Sequence, residues 1–389
     1  MDARNSSINT FLNKQLFLMA LILWVGTNTL HNTLWQLPII ENNLQVLKIL
    51  CLIILALKEL INFRLDYSFL AVLLFCILAT VITYNTKDIS IIVLAAFIIE
   101  SRNIEFSDTA KTVVIVNILI MVVTIYASLH GILDNRIFNK NDGTLRYGLG
   151  FIYTTYPSQL LFFATAALIS IRKEKIKIIE LLVLLGANLY LYIETKTVNP
   201  FVCGLLLIFA TSLIKINIKL VKNRLVYFIG KNIFLISALM IFSLTIFYNN
   251  FSVLKSLDQL VSNRLRLGNA GIVEYGISIL GQNVTLTGST YGLMEVLQAK
   301  YNYIDSSYIQ IAVKYGIVLL GYLIIGFGKV QKRLWTNKDI YTYIALIAVA
   351  MQAMLDPQLI MLQYNPFILI LGTLIVRKEK KDNDMLCSN

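Results

Sequence analysis

About twelve apolar runs, most of them near 20 residues, follow one another from residue 16 to residue 376, and this succession decides the class of fold. In hydrocarbon every backbone N–H and C=O must find its partner within the protein, so runs of this kind fold as helices that cross a membrane. The runs lie at 16–38, 44–63, 67–84, 89–100, 112–130, 154–171, 176–193, 199–214, 232–248, 307–328, 340–359 and 364–376. The run at 89–100 is short for a crossing, which leaves eleven spans plus a re-entrant piece open beside twelve; the last run is short as well. Hydrophobic residues make up 57% of the chain and charged residues only 14%, which excludes a soluble domain. The expectation is an all-α integral membrane protein of about 12 transmembrane helices, one polytopic domain over 1–389. Leu16–Val25 is apolar, but no small-residue cleavage site follows ahead of a soluble domain, so the first helix is expected to stay.

The formal charge of +12 points away from nucleic acid once it is placed along the chain. With the N-terminus taken as inside, 23 of the 34 basic residues fall in inner connections and nine in outer ones, the bias that orients membrane proteins. Both termini are therefore expected on the cytoplasmic side of the cell membrane. The four cysteines are scattered, and His31 and His130 are the only histidines, so neither a disulfide framework nor a metal site is expected. Glycine-rich phosphate loops are absent too.

Two polar intervals are too long to sit in hydrocarbon: a first long outer loop, 131–153, and a large outer loop, 249–306. Together they hold seven of the nine outer basic residues, against the topological bias, and a function on the outer face would account for that. In the first loop Asn141-Asp142-Gly143 is a turn signal, and Tyr156-Pro157-Ser158 opens a helix. Arg146 either anchors this loop at the headgroups or belongs to a site. In the second loop Leu254, Leu257, Val261, Leu265, Ile272 and Ile279 recur near helical spacing, so amphipathic helix is expected over 253–280, broken around Gly268. Arg264 lies about 60° from Val261, at the edge of the apolar stripe, and Arg266 about 140° away on the solvated side. Arg264 needs either an anionic ligand near the membrane surface or a salt bridge to Asp258 or Glu274. Asp305 or Ser306 is a fair N-cap for the next run. Lys314, inside that run, either snorkels to the surface or serves a function. Leu355-Asp356-Pro357-Gln358 and Gln363-Tyr364-Asn365-Pro366-Phe367 break helices at membrane depth, which is tolerated only against protein or a wet cavity.

Several of these stretches, in this order, resemble the bacterial polysaccharide repeat-unit polymerases (Wzy type), closest to those of Gram-positive exopolysaccharide and capsule synthesis. They are Arg146-Tyr147-Gly148-Leu149-Gly150-Phe151, Asn263-Arg264-Leu265-Arg266-Leu267-Gly268, and Tyr275-Gly276 with Leu280-Gly281-Gln282. Tyr301-Asn302-Tyr303-Ile304-Asp305-Ser306-Ser307-Tyr308, Lys314-Tyr315-Gly316 and Tyr364-Asn365-Pro366-Phe367 complete the set, so the resemblance covers roughly residues 145–371. Many relatives carry a His-Pro-Asn-like element where Tyr156-Pro157-Ser158 stands here, and the large outer loop has no histidine, which puts a histidine base of the kind expected in the related O-antigen ligases in doubt.

The resemblance implies a GT-C-like glycosyltransferase that moves a growing glycan from undecaprenyl pyrophosphate onto the next lipid-linked repeat unit at the outer leaflet. It implies no cofactor, no nucleic-acid partner and no metal. The partners it suggests are lipid-linked oligosaccharides, membrane lipid, a flippase and a chain-length regulator. Arginine matches phosphate oxygens with a planar fork. Arg264 and Arg146 are therefore the expected catalytic cations, and Asp305, Glu295 or no residue at all takes the acceptor proton. Lys314, Arg266, Tyr308, Tyr301 and Asn365 are the expected substrate-binding residues. The rivals are a ligase that hands finished glycan to another acceptor and a flippase for the lipid-linked oligosaccharide.

Overall fold

The computed structural model describes residues 2–35, 38–61, 67–139, 143–218, 223–288 and 301–375. Nine helices take up the first nine apolar runs: α1 (Asp2–His31), α2 (Pro38–Ile61), α3 (Tyr67–Thr86), α4 (Ser90–Glu100), α5 (Phe106–Leu129), α6 (Thr155–Arg172), α7 (Ile178–Thr195), α8 (Val198–Ile216) and α9 (Arg224–Ile246). Among the described residues five helices, in α3, α5, α7, α8 and α9, are long and apolar enough to cross a membrane. Their outer faces fit lipid rather than water. On α7 Ile178, Ile179, Leu182 and Val183 are each more than half exposed, while Leu181, Leu184, Asn188 and Leu191 form the buried stripe. The chain is thus membrane-embedded and built almost wholly of helix.

Helix α6 is the axis of the bundle. From Pro157 to Ile169 it is buried on nearly every side, and Ala164, Ala166 and Ala167 let its neighbours approach closely. Its first turn carries Pro157 at no cost, because the amides there have no partner within the helix. Buried polar groups pair across the bundle, Asn188 with Thr165 at 3.2 Å and Thr29 with Asn117 at 2.8 Å.

In the first long polar loop β1 (Ile137–Asn139) pairs antiparallel with β2 (Leu145–Tyr147), setting Phe138 opposite Arg146. Of the expected turn only Gly143 is described, at φ +80°; Asn141 and Asp142 lie outside the described residues. The large loop folds as α10 (Ser252–Leu260) and α11 (Arg264–Tyr275). The break expected at Gly268 falls instead at 261–263, where Ser262 and Asn263 take left-handed φ of 60° and 64°. Gly268 sits inside α11, and a Cβ there would come within 3.1 Å of Ile309 and Thr245, so this glycine serves close packing.

The run at 307–328 is not one helix. One turn, α12 (Ser307–Gln310), opens into a π turn at Ile311–Tyr315, stops at Gly316 (φ +101°), and resumes as α13 (Ile317–Thr336). The carbonyls released by this break are met by an extended stretch of the large loop. Ser278 N donates to Ala312 O (3.1 Å), Gln282 N to Lys314 O (2.9 Å) and Gln282 Nε2 to Val313 O (2.9 Å). Ser306 is the N-cap of α12, but its hydroxyl makes no capping bond. Helix α14 (Ile340–Gln352) ends seven residues before the apolar run does, and the last run forms a 3₁₀ helix, Pro366–Leu374.

Contacts sort the connections to two ends of the bundle. At one end lie Arg146 with Thr195, Asn32 with Tyr364, Lys314 with Asp88 and Arg264 with Asp356. At the other lie the ion pairs Lys58–Glu100, Arg102–Glu59, Lys14–Asp108 and Lys173–Asp339. Every connection expected on the outer face for which these contacts speak falls at the first end.

Candidate functional site

Asp356 organises that first end. It stands four residues past α14 and is fully buried, with its N–H on Gln352 O and its C=O accepting from Ser307 Oγ at 2.6 Å. Its carboxylate accepts from Gln159 Nε2 of α6 (3.1 Å) and Asn199 Nδ2 of α8 (2.6 Å), and pairs with Arg264 of α11 at 3.1 Å. Four separate segments are therefore held in one register by one anion. Arg264 keeps only 13% of its side chain exposed. Burial by itself would weaken its protonated form; Asp356 and then Asp305 outweigh that and raise it above its ordinary value. The partner expected for Arg264 within its own loop is corrected: Asp258 instead accepts the Leu265 and Arg266 amides at 2.8 and 3.3 Å and so fixes the start of α11.

Arg146, on β2, donates Nε to Thr195 O at 2.8 Å, stands 3.5 Å from Thr197 Oγ1, and lies over the Tyr153 ring at 6.0 Å. Among the described residues it forms no ion pair. Burial holds its guanidinium below the ordinary value against a lift from Tyr153, and neighbouring Arg264 adds a smaller push in the same direction as burial. Two guanidiniums close enough to repel thus face one cavity of ≈ 250 Å³, with Lys196 on its rim and Tyr301 and Asp305 on its wall. This concentration of positive charge is what an anion would relieve.

Asp305 also faces a second cavity, ≈ 350 Å³, lined by Asn32, Tyr156, Tyr301, Tyr303 and Tyr364. Burial pushes its carboxyl up to about 6, with Arg264 pulling the other way and Asp356 adding to the rise. No described donor is hydrogen-bonded to it. A third cavity, ≈ 290 Å³, shares Tyr303 and Gln363 with the second and holds Lys314 at its wall. The three are neighbours at one end of the bundle: the first and second share Tyr301 and Asp305, the second and third Tyr303 and Gln363.

Lys314 reaches the connection between α3 and α4. Its ammonium is 2.9 Å from Asp88 Oδ2, which the Tyr315 hydroxyl also reaches at 2.9 Å. Burial would raise the Asp88 carboxyl, but Lys314, the Ser90 amide and Tyr315 hold it at about 2. Three expected binding residues stand away from the three cavities. Tyr308 is fully buried and donates to Ala350 O at 3.0 Å, so it packs the core. Asn365 is fully buried, donates to Leu359 O and accepts from Phe367 N, and so caps the 3₁₀ helix. Arg266 is exposed and lines none of the three cavities. Tyr301 stays at the site; Glu295 lies outside the described residues. Asp356, Gln159, Asn199 and Asp88 were not anticipated. A lone carboxylate at a break in an apolar run was the available signal for Asp356.

Among the described residues no group of three or more His, Cys, Asp or Glu is placed to hold a metal ion. No family model, curated protein or solved structure matches the chain.

Proposed function

We propose that this chain is a membrane glycosyltransferase that polymerises undecaprenyl-pyrophosphate-linked repeat units on the outer face of the cytoplasmic membrane, with about twelve passes, a GT-C-like architecture and both termini inside. The observation that carries the reading is the cavity where Arg146 and Arg264 converge beside Asp305. A lipid pyrophosphate is the anion such a pair suits, since each guanidinium presents a fork to phosphate oxygens.

In the step proposed, an acceptor hydroxyl oxygen forms a bond to the anomeric carbon of the growing glycan. The bond from that carbon to the pyrophosphate oxygen breaks, and its electron pair stays on the phosphate. Asp305, ionised above about pH 6, receives the hydroxyl proton. Arg264 and Arg146 stabilise the charge that develops on the leaving pyrophosphate, and Asp356 positions Arg264 for this. Tyr301, on the wall shared by the first two cavities, offers a ring for a sugar face.

The lipid-linked pool of a deletion strain tests the reading. Single repeat units on undecaprenyl pyrophosphate are expected to accumulate on the outer leaflet. Accumulation on the inner leaflet would mark a flippase, and accumulation of full-length lipid-linked glycan would mark a ligase.

A further inference from the structure

We infer that the third cavity is a binding site for uncharged sugar residues, and that Lys314 helps to shape it instead of holding phosphate; this rests on reading the Arg264 cavity as the phosphate end. The charge in its wall is balanced. Among the described residues Lys314 and Asp88 are its only ionic ones, 2.9 Å apart, and Tyr315 adds a second hydrogen bond to the same carboxylate oxygen. An incoming phosphate would have to break this pair before gaining Lys314, and would then leave Asp88 unpaired beside it.

The rest of the wall has the make-up of a sugar site. Trp24 is 5% exposed and lines the cavity, and its indole N–H, itself sealed from solvent, has no partner among the described residues. A buried donor without a partner is costly, and a turn of the indole that brings this sealed N–H to the cavity lets a sugar hydroxyl accept from it. Asn28 spends its amide N–H on Trp24 O at 2.8 Å and keeps its amide oxygen as an acceptor. Gln310 and Gln363 add neutral polar groups. The ring of Tyr303 with Ile91, Leu94 and Ile360 supplies the apolar surface that the C–H face of a pyranose covers. Because Tyr303 also lines the middle cavity, a glycan lying in the third cavity continues toward Asp305.

The test reads Trp24 itself. Purified full-length protein in lipid nanodiscs is titrated, following tryptophan emission, with phosphate-free repeat oligosaccharide released by mild acid from the host's lipid-linked pool, and separately with inorganic pyrophosphate. The oligosaccharide is expected to change the emission saturably, Trp24→Phe to remove that change, and pyrophosphate to produce none of it. Asn28→Ala, which keeps the tryptophan, is expected to weaken the oligosaccharide response about tenfold, the size of one lost hydrogen bond; it carries the test alone should Trp24→Phe fail to fold. A response to pyrophosphate and not to oligosaccharide would overturn the inference and make this an anion site. No response to either, or an undiminished one in Asn28→Ala, would overturn it as well. Protein that elongates lipid-linked glycans without a Trp24 response loses this inference and keeps the polymerase reading; a Trp24 response in protein that never elongates them does the reverse.

Discussion

Two basic residues at the Asp356 end of the bundle each meet an aspartate, and the two pairs do different work. Arg264 and Asp356 are almost sealed, at 13% and 1% side-chain exposure, while Lys314 and Asp88 keep 20% and 22%. The first pair shares its wall with Arg146 and Lys196 against one further carboxylate, Asp305, so among the described residues three cations face two anions and a positive surplus is left. Among the described residues the second pair stands alone at its cavity and cancels. An ion pair thus says little about binding until the other charges at the same wall are counted. A surplus attracts an anion, and a balanced wall leaves hydrogen bonding and apolar contact to choose the ligand.

The comparison breaks most visibly at Asp305. Asp305→Asn removes the proposed proton acceptor and is expected to slow polymerisation by about 10²–10⁴. In the unsubstituted protein the ionised form is the competent one, so the rate is expected to fall about tenfold per pH unit below about 6 and to level off above. A rate that rises toward low pH would remove Asp305 from the role.

Arg264→Ala comes next, with an expected loss of about 10²–10³ in rate. Arg264→Lys keeps the charge but not the fork and is expected to be impaired as well. Arg264→Ala also strands a buried carboxylate, a loss of about 3–5 kcal/mol in stability, so membrane protein level must be measured beside polymer length on gels. Equal losses of folded protein and of polymer would reduce Arg264 to a structural strut.

Lys314→Met sharpens the other half. It is expected to cost about 1–3 kcal/mol by leaving Asp88 half-buried and unpaired, and Asp88→Asn in the same chain is expected to restore part of the lost thermal stability. The smallest effect is predicted for Arg266→Ala. With its side chain in solvent, polymer length is expected to stay within about threefold of the parent protein.

The class of fold was legible because lipid imposes one rule on every span, and nine apolar runs became nine helices. The solvated position of Arg266 followed from helical spacing alone. What was not legible depended on segments far apart in the chain. Asp356 draws Arg264, Gln159 and Asn199 together only after the bundle has formed, and nothing near Arg264 announces it. The break at 311–316 was hidden because its unmet carbonyls are satisfied from far upstream in the chain, by Ser278 and Gln282. Tyr308 and Asn365 misled for the same reason: polar residues in a motif-like stretch have their hydrogen bonds taken up by Ala350 and Leu359.

The most direct measurement is the glycan profile after purified protein in lipid nanodiscs is incubated with undecaprenyl-pyrophosphate-linked repeat units and no nucleotide sugar. The account predicts a ladder of lengthening lipid-linked glycans with release of undecaprenyl pyrophosphate, and a ladder reduced to a trace with Arg264→Ala at equal folded protein. Single repeat units left unchanged by the parent protein, or a ladder indifferent to Arg264, would contradict it.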